Sequence, residues 1–249
     1  MGLAKVTLIG LVAFSALALE NISQAVTLKS SGDITYLENT TEPELVDPEK
    51  PGIGENIKPV EPNPGTPGPL SIDYVSNFHF NQQMISGNDA TYYSTLTDIT
   101  DADGSSNPRK VPNYIQVTDN RGSNAGWSLA VKQEGQLTSS STKSVLEGAK
   151  IQISNLASDS KNKESDGSNV PSLATSVTGN NYTLVPGTSV GLVNAATGQG
   201  VGSWTTLFGS NMDHSADTSV SLFVPGKTAK VKEAYKATIS WIISADPSN

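Results

Sequence analysis

From Leu70 to the end of the chain, short runs with apolar residues at alternate positions are separated by turn clusters, and no stretch holds a long helical period. Side chains alternate faces along a strand, so such runs bury one face and wet the other. The runs are Ile72–Val75, Phe78–Phe80, Tyr114–Val117, Trp127–Val131, Ala149–Ile153, Tyr182–Val185, Val220–Val224 and Ala237–Ile243. Between them fall turn formers such as Asp103-Gly104, Asp119-Asn120-Arg121-Gly122, Asp166-Gly167 and Gly179-Asn180-Asn181. The pattern predicts an all-β, antiparallel domain over residues 70–249, built as a sandwich or barrel-like. Ser139–Gly148 has room for one short helical turn at most. Ser158–Val170, with Asp159, Lys161, Lys163, Glu164 and Asp166, is too polar for a strand and is expected as an exposed loop.

Two of the runs share a design. In Gly126-Trp127-Ser128-Leu129-Ala130-Val131, the residues Trp127, Leu129 and Val131 fall on one face. In Tyr235-Lys236-Ala237-Thr238-Ile239-Ser240-Trp241-Ile242-Ile243, one face carries Tyr235, Ala237, Ile239, Trp241 and Ile243, with Thr238 and Ser240 opposite. A tryptophan flanked at even spacing by aliphatics reads first as core. The alternative is a stacking platform for sugars or an exposed contact for a partner. Trp204, in the glycine-rich neighbourhood Gly202-Ser203-Trp204, is read equally as exposed or buried.

The N-terminal third differs in kind. Lys5, the apolar stretch Val6–Leu19 and the small residues Ser23-Gln24-Ala25 predict a secretory signal over residues 1–25, cleaved after Ala25. The apolar stretch falls short of the roughly 20 residues a membrane span needs, and no membrane span is expected once the signal is removed. Residues 26–69 are predicted to be a disordered, acidic, Pro-rich linker. Between Thr40 and Pro69 stand eight prolines (43, 48, 51, 59, 62, 64, 67, 69) and six carboxylates (42, 44, 47, 49, 55, 61). The aliphatics Leu45, Val46, Ile53, Ile57 and Val60 are too few and irregular to make a core. Such a segment favours extended polyproline II, reaching up to roughly 90 Å at about 3.1 Å per residue.

The net charge is −8. Removing residues 1–25 takes away Lys5 and Glu20, one of each sign, and leaves it unchanged. Phosphate backbones repel such a surface, and no basic stretch with interleaved aromatics offsets it, so nucleic acid is excluded as a partner. With no cysteine there are no disulfides, and stability rests on core burial.

The two tryptophan runs, together with Val117-Thr118-Asp119-Asn120-Arg121-Gly122, Leu70–Phe78, Leu146–Ile151 and Pro247 behind the distal run, resemble the WxL cell-surface proteins of low-GC Gram-positive bacteria. The resemblance covers nearly all of 70–249, and the leader and proline-rich spacer fit it. It departs at Ile243, where the family usually has Leu; this volume-conserving change leaves packing intact. The resemblance implies a secreted protein on the cell surface, held non-covalently on peptidoglycan or another wall glycan. It also implies companion surface proteins of the same locus and, by analogy, host matrix proteins as secondary ligands. The candidate wall- or partner-binding residues are Trp127, Leu129, Trp241, Ile243 and Trp204.

Catalytic chemistry finds no foothold. Gly187-Thr188-Ser189-Val190-Gly191 matches a nucleophile pattern but lacks the strand-to-helix context, and the one downstream histidine is His214. Neither His79 nor His214 has metal-ligand spacing. Asp101-Ala102-Asp103-Gly104 opens like a calcium loop but meets Pro112 at position twelve. No paired carboxylates stand out, and neither cofactor nor metal is expected. Three classes therefore compete: a wall-binding module, an interaction subunit reaching the wall through companions, and, weakest, a wall-acting enzyme.

Overall fold

The computed structural model describes residues 28–52, 56–174 and 180–247. The expected signal over 1–25 lies outside them. Residues 36–249 form one compact unit, whose first six strands are β1 (Ile57–Pro59), β2 (Leu70–Val75), β3 (Ala90–Tyr93), β4 (Thr97–Asp101), β5 (Arg109–Val111) and β6 (Tyr114–Asp119). Next come β7 (Trp127–Gln133), β8 (Thr138–Ser139), β9 (Lys150–Ser154), β10 (Leu156–Asp159), β11 (Ser172–Leu173) and β12 (Asn181–Leu184). The remainder are β13 (Ser189–Ala195), β14 (Gly202–Phe208), β15 (Val220–Val224), β16 (Tyr235–Lys236) and β17 (Ile239–Ser244). The helical content among the described residues is one 3-10 turn, Ser215–Thr218.

All pairings are antiparallel. Three four-stranded sheets, ordered β10-β14-β6-β2, β11-β13-β7-β17 and β12-β9-β15-β3, make up most of the unit. They are arranged in a ring, barrel- or propeller-like, as an all-β fold. Each contributes alternate residues to one core: Ile115 and Val117 from β6, Trp127, Leu129 and Val131 from β7, Ile151 and Ile153 from β9. The strict buried/half-buried alternation of β7 is what the sequence period of two dictates.

β6 breaks that alternation, being buried along its whole length. One face meets the main core. The other carries Tyr114, which joins Ile57, Tyr74, Ile99 and Val111 in a second, smaller core beneath the sheet β1-β4-β5.

This second core corrects the expectation of a free linker over 26–69. Residues 28–41 are exposed and without regular structure, but the next stretch is part of the fold. Val46 bridges Asn56, β1 pairs with β4, and Val46 and Ile57 are each 8% exposed. The fully buried amide of Gln116 pegs this flap to the sheet: its Oε1 accepts from Val46 N (3.0 Å), and its Nε2 donates to Glu44 O (3.0 Å). Arg109 adds ion pairs to Asp47 and Glu49. Of the scattered aliphatics, Ile57 and the half-buried Leu45 complete a core begun by β2, β4, β5 and β6.

Other differences follow from composition. Phe78–Phe80 lies in the loop after β2 rather than in a strand. The stretch from Ser189 opens strand β13, an interior strand bulged at Gly191/Val193, so the nucleophile-like pattern runs from a turn into a strand and not from a strand into a helix. The loop expected over Ser158–Val170 starts later: Ser158 and Asp159 close β10, paired with Thr206 and Thr205, and most of 161–170 is exposed loop.

Candidate functional site

The proximal tryptophan is 1% exposed, as is Leu129. The indole Nε1 of Trp127 donates to Gly200 O at 3.0 Å. Gly200 has φ +73°, and a Cβ there would come within 2.5 Å of that nitrogen, so this seat admits only glycine. On the other side Gly126, at φ +85°, packs so closely on Ala195 that a Cβ would sit 2.1 Å from its carbonyl oxygen. The corner is clamped by Arg121. Its Nε and Nη2 donate to the two oxygens of the buried Asp119 carboxylate (2.9 and 2.7 Å), and Nη2 also donates to Gly126 O (2.7 Å). This bond to Asp119 raises the Arg121 pKa above its ordinary value. The run from Val117 to Gly122 is therefore a device for seating Trp127.

Trp204 is also 1% exposed, with its Nε1 donating to Val201 O at 3.1 Å. The distal motif behaves differently. β17 pairs directly with β7, setting Trp241 opposite Val131 and Ile243 opposite Leu129. The two motif strands, far apart in sequence, are neighbours, and Arg121 Nη1 ties them by donating to Ala245 O (3.3 Å). β17 is, however, the edge of its sheet. Its expected face does pack on the core, but Trp241 and Ile243 stay half-buried. Trp241 stacks on buried Phe208 (centroids 6.0 Å, 9°), with Phe78 edge-on at 6.4 Å.

The chain matches the model of the family described as WxL domain surface cell wall-binding over residues 23–247. The chain belongs to the WxL family. No curated protein and no solved structure matches. Membership carries association with the cell surface and wall. For a WxL chain the finding is that Trp127, Leu129 and Trp204, as folded, present no surface to a ligand.

What the outside presents is a polar cleft that the motifs do not reveal. The flap 39–51 stands over the sheet carrying β6 and β14, leaving a cavity of about 260 Å³ lined chiefly by Asn39, Glu42, Glu44, Asn56, Asn120 and Lys161, with Ser203 from β14. Pro51 and Lys161 also line a shallower extension of about 360 Å³ that adds Glu49, Lys50 and Asp159. Beneath it lies a chain of polar groups. Ser203 Oγ is 2.7 Å from Thr118 Oγ1, which donates to Asp73 Oδ2 at 2.6 Å. Asp73 also accepts from Ser71 (2.6 Å) and Gln116 (2.9 Å). Burial pushes its pKa above the ordinary carboxylate value, and these hydrogen bonds oppose the shift. Burial, then the Asp47 charge, raises Glu49 in the same direction. Among the described residues no three His, Asp or Glu side chains converge as a metal site. The flap was hidden because proline density and acidic charge read as an unattached chain. The one signal that could have found it is the all-apolar-or-amide character of Tyr114-Ile115-Gln116-Val117, which needs cover on both faces.

Proposed function

We propose that this protein is exported and held non-covalently on the bacterial wall by binding peptidoglycan, without catalysing a reaction on it. The observation that carries this reading is the family match across 23–247, which takes in the flap as well as the β domain. The leader-like N-terminus supports export. The protein's formal charge is −8, and a wall rich in anionic polymer repels it, so attachment rests on hydrogen bonds and local charge pairs rather than on bulk attraction. The test is co-sedimentation of residues 26–249 with purified sacculi. Pelleting without loss of wall turbidity supports the reading; a chain that stays in the supernatant rejects direct attachment, and clearing of the suspension rejects the non-enzymatic part.

A second reading is supported by β17. It is an edge strand whose Ile242 is 42% exposed on the outward face, and an exposed edge can take an added strand from a companion surface protein. On this reading the chain pellets only when the companion is present.

A further inference from the structure

We infer that the cleft under the flap binds the peptide stems of peptidoglycan rather than its sugar chain; this rests on the wall-binding reading above. Sugar recognition needs flat apolar faces to stack on, and aromatic rings supply them. No aromatic side chain lines this cleft or its extension. Its groups are those that pair with peptides. The side-chain amides of Asn39, Asn56 and Asn120 match backbone amide groups in chemistry; Asn39 Oδ1 already accepts from Thr41 N, and Asn56 Nδ2 donates to the Glu44 carboxylate, which orients both groups within the cleft. Glu42 and Glu44 supply carboxylates in the deeper part and Glu49 and Asp159 in the shallower part, while Lys161 spans both and Lys50 flanks the outer one. Carboxylates and ammonium groups at separate points along one groove suit an occupant with free amines and free carboxylates at intervals. Wall stem peptides have that character; the uncharged sugar backbone does not, and polyanionic wall polymers would meet an excess of like charge.

The cleft is built before any ligand arrives. Gln116, Arg109 and the β1–β4 pairing hold one wall, and Asp119 bound to Arg121 fixes the end of β6 just before Asn120. A preformed groove avoids the ordering cost that a mobile segment incurs on binding. Glu42, Glu44 and Lys161 are exposed and outside both cores, so neutralising them leaves the fold standing.

The experiment uses residues 26–249 and two preparations of sacculi, native and with their free amines acetylated. Wild type is compared with the double variant Glu42→Gln/Glu44→Gln and with Lys161→Gln, and chitotetraose is added as a soluble competitor. The expected result is pelleting with native sacculi, weakened about tenfold by acetylation, about tenfold by the double variant and less by Lys161→Gln, with chitotetraose without effect. Pelleting indifferent to acetylation and to the variants, or abolished by chitotetraose, overturns the stem-peptide assignment while wall binding stands. Absence of pelleting with native sacculi overturns both.

Discussion

β7 and β17 have the same pattern, a tryptophan with aliphatics two residues away on one face, and they lie side by side in one sheet. They nevertheless have different surroundings. β7 is flanked by β13 and β17 and its indole is sealed by Gly200, Gly126 and Ala195; β17 has one neighbour, and its indole leans on Phe208 and Phe78 with part of its surface in water. Identical periodicity thus specifies which face turns inward, whereas position in the sheet decides how deeply. A motif shared by two strands need not mean a role shared by two strands.

The largest effect expected from this contrast is on stability. Trp127→Ala should lose about 3–5 kcal/mol, since it empties a sealed site and strands the Gly200 carbonyl. Trp241→Ala, at a half-open edge, should lose about 1–2 kcal/mol. Urea denaturation of both variants checks this; equal losses would break the distinction between sealed and leaning indoles. Gln116→Ala comes between them, at about 2–3 kcal/mol, because it leaves Val46 N–H, Glu44 C=O and Asp73 short of partners. If the flap were as loosely held as its proline content implies, protection of its amides from hydrogen exchange would be unchanged in that variant.

The smallest effect concerns Asp73. Its folded pKa stands above the ordinary 3.8, so its contribution to stability is complete below the unfolded value and is lost as pH rises through the folded one. Wild type should therefore lose Tm relative to Asp73→Asn, which cannot titrate, as pH rises above about 4, the ordinary carboxylate value. Parallel Tm–pH curves would show that Asp73 is not the group responsible.

Where the sequence was legible, it was through period and punctuation. β2, β6, β7, β9, β12, β15 and β17 all stand on runs whose alternation announced them, and the inward face of β17 was named residue by residue. Among the strands that escaped notice, β4, β13 and β14 carry threonine, serine or glycine between their apolar residues, and β1 and β5 are three-residue strands too short to show a period. β14 is the clearest case: Thr205 and Thr206 are buried, and Trp204 lies inside although its glycine-rich neighbourhood left exposed and buried equally open. The cleft was illegible for a related reason. Its lining comes from the flap, from the end of β6, from the turn after β10 and from β14, and a polar site assembled from four distant segments has no spacing to detect. Leu45 and Ile57 gave no period, only isolated apolar side chains, and their purpose appears once Tyr74, Ile99 and Tyr114 are seen packed with them.

The pairing of β7 with β17 has a consequence for the order in which the molecule can be made. Trp241 meets Val131 across more than a hundred residues of intervening chain, and β17 is the last of the described strands to leave the ribosome. Until Ile239–Ser244 arrives, the aliphatic flank of β7 has no cover and its sheet cannot close. Chains dominated by such distant partners fold slowly, and this one has no cysteine with which to lock an early intermediate. The distal motif therefore supplies the strand that completes this sheet, and among the described strands it is the last to be made.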